Sequence, residues 1–235
     1  MKDLKYWLVK IKEKFSPEAV ILYGSRAKGD FLETSDWEIL ILFKKNKRVK
    51  REMLRRFIKN PRIVPYPASI ESFKKMKLDA PFPKAGFYRD LFLGGKVLTG
   101  KDLLKTVKPP AIKIIDLIEV IEFNLGYSLA AMLSWRDGNR KTARTVFTKS
   151  CLFASRCLVI LKKKKFPLTY EKIVTEVKKL NLREFADLVP NVYEVRHGLN
   201  LNEKDIYRNI TYLNQFLLPQ FHDVLKKKGN VIVLK

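Results

Sequence analysis

Apolar positions along the chain change character near residue 108, and the change predicts two kinds of structure. The first half is built from short runs. Ala19-Val20-Ile21-Leu22-Tyr23 is a continuous, largely β-branched run of strand length, and Trp37 to Phe43 is a second. Met1 to Phe15 alternates lysine with apolar residues, which predicts an amphipathic helix over 3–14. Val49, Met53, Leu54, Phe57 and Ile58 form an apolar stripe in a helix over 47–59, and another helix is expected over 70–77. Pro61, Pro65, Pro67, Pro81 and Pro83 punctuate this half and confine any strand around Ile63-Val64 to a short or edge position. Lys96 to Gly100, after Gly94-Gly95, reads as a further short strand, and Lys108-Pro109-Pro110 makes a stiff break. Beyond it the helical period takes over, in Ile112–Trp135, Lys141–Leu161, Tyr170–Leu180 and Glu203–Lys226. No internal repeat is visible. The fold class is therefore α+β: a module of sheet and flanking helices over 1–108, followed by a helical bundle over 109–235.

The link between the first two strands carries the chemistry. It reads Gly24-Ser25-Arg26-Ala27-Lys28-Gly29, then a polar turn, then Ser35-Asp36-Trp37-Glu38. Side chains alternate along a strand, so Asp36 and Glu38 are expected to point the same way. Two adjacent carboxylates repel at neutral pH unless a cation or a proton compensates, and magnesium with its oxygen ligands is the natural compensation. Gly24 lets a phosphate approach the backbone closely, and Ser25 adds a hydroxyl donor. The alternative is an ordinary β-turn-β unit with solvated acids, which explains neither the pairing of the acids nor their distance from Gly24-Ser25.

Charge widens the choice of partners without deciding it. With 48 Lys plus Arg against 24 Asp plus Glu, the formal charge is +24. Such an excess suits RNA, DNA or a nucleotide, but equally a lysine-rich proteome in which charge serves solubility or heat tolerance. The length admits one large domain or two small ones. Lys44-Lys45-Asn46-Lys47-Arg48, continued by Lys50, Arg51, Arg55, Arg56, Lys59 and Arg62, is either a polyanion-binding cluster or the cationic outer face of a surface helix. Cys151 and Cys157 lie six apart in a predicted helix and make neither a disulfide nor a CxxC metal site, so they read as buried thiols in a reducing compartment. The N-terminus lacks the features of a signal peptide and no apolar stretch is long enough to span a membrane. A cytoplasmic location is expected.

Gly-Ser, about ten residues, then Asp-x-Asp or Asp-x-Glu: with a strand on either side, this arrangement resembles the signature of the nucleotidyltransferase superfamily that includes DNA polymerase beta. The Asp-x-Glu form in Ser35-Asp36-Trp37-Glu38 is closest to the kanamycin nucleotidyltransferases, and Arg26-Ala27-Lys28-Gly29 is similar to the basic stretch of minimal nucleotidyltransferases. The resemblance implies an N-terminal mixed sheet, a nucleoside triphosphate (ATP first) held by Gly24, Ser25, Arg26 and Lys28, and Mg2+ held by Asp36 and Glu38. It implies transfer of a nucleoside monophosphate to an acceptor hydroxyl, and allows a homodimer. In kanamycin-type enzymes a helical second domain supplies a Glu that accepts the hydroxyl proton. Glu119 and Glu122 stand at the corresponding place, three apart on one helix face, with Glu122 preferred.

Two departures bear on catalysis. The superfamily takes a third carboxylate from a neighbouring strand, where Pro61 to Pro67 offers Val64, and a phosphate-assisting lysine is replaced by Gly126. Either Glu119 or Glu122 compensates, or the protein has kept the fold, lost catalysis and binds RNA or DNA through its basic surface. A ribonuclease of the helical HEPN type is a poor fit, because Arg196-His197 lacks the required separation.

Overall fold

The computed structural model describes residues 2–44, 49–79 and 82–235. Lys45, Asn46, Lys47 and Arg48 of the basic run lie outside the described residues. Two compact units form, Met1–Pro110 and Ala111–Lys235.

The first unit runs α1 (Lys2–Phe15), β1 (Ala19–Tyr23), α2 (Gly24–Lys28), β2 (Trp37–Phe43), α3 (Arg51–Phe57), β3 (Ile63–Ser69), α4 (Ile70–Lys74), α5 (Lys84–Gly94) and β4 (Lys96–Gly100). Its sheet has the order β3-β2-β1-β4. β1 is antiparallel to β2 and β4, while β2 and β3 are parallel, so the sheet is mixed. Alternation along the strands gives it two buried faces. Val20, Leu22, Ile39, Ile41, Phe43 and Ile63 pack beneath α1 and α3, against Leu4, Ile11, Phe15, Leu54 and Ile58. Ala19, Ile21, Leu40 and Leu42 face the other way, onto Phe73 of α4 and Tyr88, Leu91 and Phe92 of α5. Burying each such large side chain stabilises the fold by roughly 1.5–3 kcal/mol. Glu38 shares the parity of Leu40 and Leu42, so it belongs to the α4/α5 face, whereas Trp37 packs on the α1/α3 face.

Three elements of this unit differ from the sequence expectation. β3 is no short strand: it pairs with β2 over seven residues and passes through Pro65 and Pro67. It does lie at the sheet edge, one of the two positions the prolines allow, and two prolines two residues apart leave their missing N–H groups on one side, away from β2. The chain after Tyr23 is a short helix, α2, where a turn was expected. α5 was not anticipated at all; Pro83, its N-cap, occupies a helix start, where proline is tolerated.

The second unit is helical. A two-residue strand β5 (Ile112–Lys113) leads into α6 (Ile114–Arg136), α7 (Arg140–Lys163), α8 (Tyr170–Val177), α9 (Leu188–Arg196), α10 (Glu203–Thr211), a six-residue π-helical stretch (Tyr212–Leu217), α11 (Leu218–Lys228) and β6 (Ile232–Leu234), which pairs antiparallel with β5. Asn139, Thr169 and Asn202 cap α7, α8 and α10 by accepting from the backbone N–H three residues on. The single helical run expected over Glu203–Lys226 is interrupted because Pro219 cannot continue an α-helical ladder, and the π-helical stretch precedes it. Asn209 donates to Ser128 and Ser150, whose hydroxyls lie 2.6 Å apart, forming a polar knot in the core. Cys151 and Cys157 are free and buried in α7, and burial pushes both thiols up to about 12, so they are inert packing groups. Among the described residues no helix is long and apolar enough to cross a membrane.

Candidate functional site

The site begins where β1 ends. Tyr23 lies opposite Glu38 in the antiparallel register, and Gly24 then turns the chain into α2 with φ of +72°. Glycine is needed there twice over. The left-handed conformation strains any residue with a Cβ, and a Cβ built on Gly24 would stand 1.9 Å from Glu38 Oε2. The carboxylate of Glu38 therefore packs directly against the Gly24 backbone, which brings the Gly-Ser segment and one candidate metal ligand into a single place. The phenol of Tyr23 is held well above its ordinary range, first by burial and then by the negative charge of Glu38, with Arg51 pulling the other way. Tyr66 is raised for similar reasons, burial foremost.

Asp36 is exposed immediately ahead of β2, where its charge acts on Arg26. On the other side of β2, Val64 stands opposite Glu38 in the parallel register, so the neighbouring strand presents a branched apolar side chain beside the carboxylate. Among the described residues no cluster of three or more His, Cys, Asp or Glu forms a metal cage. Of the two carboxylates expected from the sequence, Glu38 lies against Gly24, while Asp36 is exposed ahead of the strand and acts on Arg26. Magnesium is commonly bound by one or two carboxylates together with substrate phosphates, so a third protein acid is not a requirement for it.

Arg26 and Lys28 are already engaged. Arg26 donates through Nε to the Ser35 carbonyl at 2.8 Å and through Nη2 to the Glu33 carbonyl at 2.9 Å, with its guanidinium over the rings of Phe31 and Trp37. It folds the 29–36 loop back onto α2, a task for a planar fork that lysine does not share. Lys28 Nζ reaches both carboxylate oxygens of Asp90 on α5 at 3.3 Å, with its side chain only 6% exposed. Both side chains thus position the segment between Gly24 and Asp36. Asp90 escaped the sequence reading because its helix did.

In the helical unit Glu119 and Glu122 lie on the exposed side of α6. Gly126, one turn further along, is exposed as well.

Residues 8–65 match the family described as polymerase beta, nucleotidyltransferase. No curated protein matches the chain. Among solved structures, the chain resembles spectinomycin adenyltransferase of Enterococcus faecialis, crystallised with ATP and spectinomycin. The identity is 14% and the TM-score 0.59, over 92% of this chain and 98% of that one. At that identity the likeness speaks for the fold, and its α+β unit followed by a helical unit is the one described above. The family match thus covers part of the first unit, from α1 into β3, and the likeness to the adenyltransferase is one of fold across both units.

Proposed function

We propose that the protein transfers a nucleoside monophosphate from a nucleoside triphosphate, ATP first, to a hydroxyl of an acceptor. The observation that carries this reading is the packing of Glu38 Oε2 against Gly24, because it sets a carboxylate at the start of a short helix whose first backbone N–H groups have no intrahelical partner. Gly24 and Ser25 would receive the terminal phosphates, and Asp36 and Glu38 would hold magnesium. When bound, the metal offsets the negative charge that grows between attacking and leaving oxygens. Arg26 and Lys28 act as positioning residues, fixing the loop and the helix that carry these groups. Glu122 would accept the proton of the attacking hydroxyl, the role that the resemblance to kanamycin-type enzymes implies. The adenyltransferase solved with ATP and spectinomycin supports ATP as donor and a hydroxylated small molecule as acceptor.

A second reading, a protein of this fold without transfer activity, is favoured by Val64 beside Glu38. Calorimetric titration with ATP, GTP, CTP and UTP, with and without magnesium, separates the two. Metal-dependent nucleotide binding that Asp36→Asn or Glu38→Gln removes, in variants melting like the parent, supports the enzyme. Nucleotide binding that ignores both substitutions overturns the metal assignment.

A further inference from the structure

We propose that the outer face formed by α1 and α3, on the side of the sheet opposite Glu38, binds single-stranded nucleic acid, with a cleft at its edge taking a base and its phosphate. The two helices bury their apolar sides on one sheet face and turn the rest outward. Lys5, Lys12, Lys14, Arg55, Arg56 and Lys59 are all exposed on this layer. Among the described side chains of the two helices the acids are Glu13, which is paired with Lys10, and Glu52. α1 and α3 are locked side by side by edge-on contacts of Phe57 with Trp7 and Phe15, and Lys14 lies 4.7 Å from the Phe57 ring, so the cationic positions form one surface. Tyr6, 56% exposed on the same helix, offers a ring on which a base can stack.

The cleft adds what a charged surface alone lacks. It has a volume of about 240 Å³ and is lined by Leu4 of α1, Asn60 and Arg62 beyond α3, Ile63 of β3, and Arg26, Phe31, Glu33 and Trp37, so one acid, Glu33, stands among its two arginines. Pockets that enclose a whole small ligand run to roughly 300–1,000 Å³, so this one fits a part of an extended ligand. Arg26 is fixed by two carbonyls and two rings, and Arg62 Nη2 lies 3.5 Å from the same Ser35 carbonyl. Two cations so placed repel each other, as the lowered pKa of Arg26 records after its burial, and Asp36 offsets part of this. A phosphate oxygen would complete the compensation, while the Asn60 amide and the aromatic rings suit a base. A lipid surface needs a broad convex contact and has no use for a polar cleft with aromatic walls. That distinction selects nucleic acid.

The test is fluorescence anisotropy of the full-length protein with a labelled oligouridylate across a salt series, beside vesicles of phosphatidylserine and phosphatidylcholine. The comparison protein carries Lys12→Gln, Arg55→Gln, Arg56→Gln and Lys59→Gln. None of the four belongs to the transfer site, so magnesium-dependent ATP binding should be unchanged in it, which separates failure of this surface from failure of the proposed transfer activity. Each phosphate contact contributes about 0.7 to the slope of log affinity against log salt on single strands, so the parent's advantage should shrink about 50-fold between roughly 50 and 200 mM salt. Arg62→Gln should weaken binding more than any one of the four alone. Absence of oligonucleotide binding at low salt, equal salt slopes in parent and variant, or binding of anionic vesicles alone would each overturn the proposal. Circular dichroism melts confirm that the exposed substitutions leave the fold intact.

Discussion

Replacing Gly24 by alanine tests the geometry on which the functional reading depends. The added methyl meets two separate obstacles. At φ of +72° a residue with a Cβ loses roughly 1–2 kcal/mol relative to glycine. The new Cβ would also stand 1.9 Å from Glu38 Oε2, where ordinary contact begins near 3.4 Å, so the carboxylate must retreat by about 1.5 Å. Displacing the flexible far end of the Glu38 side chain costs roughly 1 kcal/mol of rotamer strain. Together the two effects amount to about 2–3 kcal/mol, a fall in Tm on the order of 10 °C for a unit of this size. The protein should therefore remain folded at 25 °C while its carboxylate is misplaced. Misplacement by an ångström or more lowers turnover about 100-fold, so magnesium-dependent ATP binding and transfer should drop together. In a Glu38→Ala background the same Gly24→Ala change should lose only the backbone part, leaving a coupling of about 1 kcal/mol in the thermal or denaturant midpoint. Wild-type metal-dependent binding in Gly24→Ala, or zero coupling in the cycle, would refute the contact between Glu38 and the Gly24 backbone as the heart of the site.

Val64→Asp places an acid opposite Glu38 in the parallel register; tighter magnesium binding by calorimetry is expected, together with lower stability, and unchanged metal affinity would mean that this position does not face the metal. Lys28→Met should destabilise the first unit by about 1–2 kcal/mol by removing a buried partner of Asp90, whose own side chain is 21% exposed, and a melt within a degree of the parent would show the pair to be dispensable. Glu122→Gln should lower turnover by roughly two to four orders of magnitude with nucleotide affinity nearly intact, and Glu119→Gln should do much less. Equal turnover in both variants and the parent would remove the base from α6. Loss of metal-dependent nucleotide binding in Glu122→Gln would make it a ligand instead.

Strand and helix identity is a local matter for part of this chain, and the sequence alone was enough for α1, β1, β2 and the long helices, though not for α2, α5 or α9. Ala19–Tyr23 and Trp37–Phe43 are apolar on both faces because both faces of the sheet are covered, and a run of that length between polar turns has no other stable use. The first three long helical periods after residue 108 were legible for the same reason, whereas the fourth divides into α10, a π-helical stretch and α11. So was the relation of Gly24 to Glu38, since two adjacent antiparallel strands joined by one loop must bring the end of the first beside the start of the second. What stayed hidden depends on partners distant along the chain. The edge position of β3 was one of the two its prolines allowed, but its seven-residue length is fixed by pairing with β2 and not by its own residues. Lys28 reads as a phosphate contact until the fold supplies Asp90, 62 residues away, and Arg26 reads the same way until Ser35, Phe31 and Trp37 close around it. A charged side chain in a sequence announces only that it needs a partner. Which group satisfies it is decided by the tertiary structure, because the desolvation of a cation is offset only by the particular acceptors that packing brings within reach.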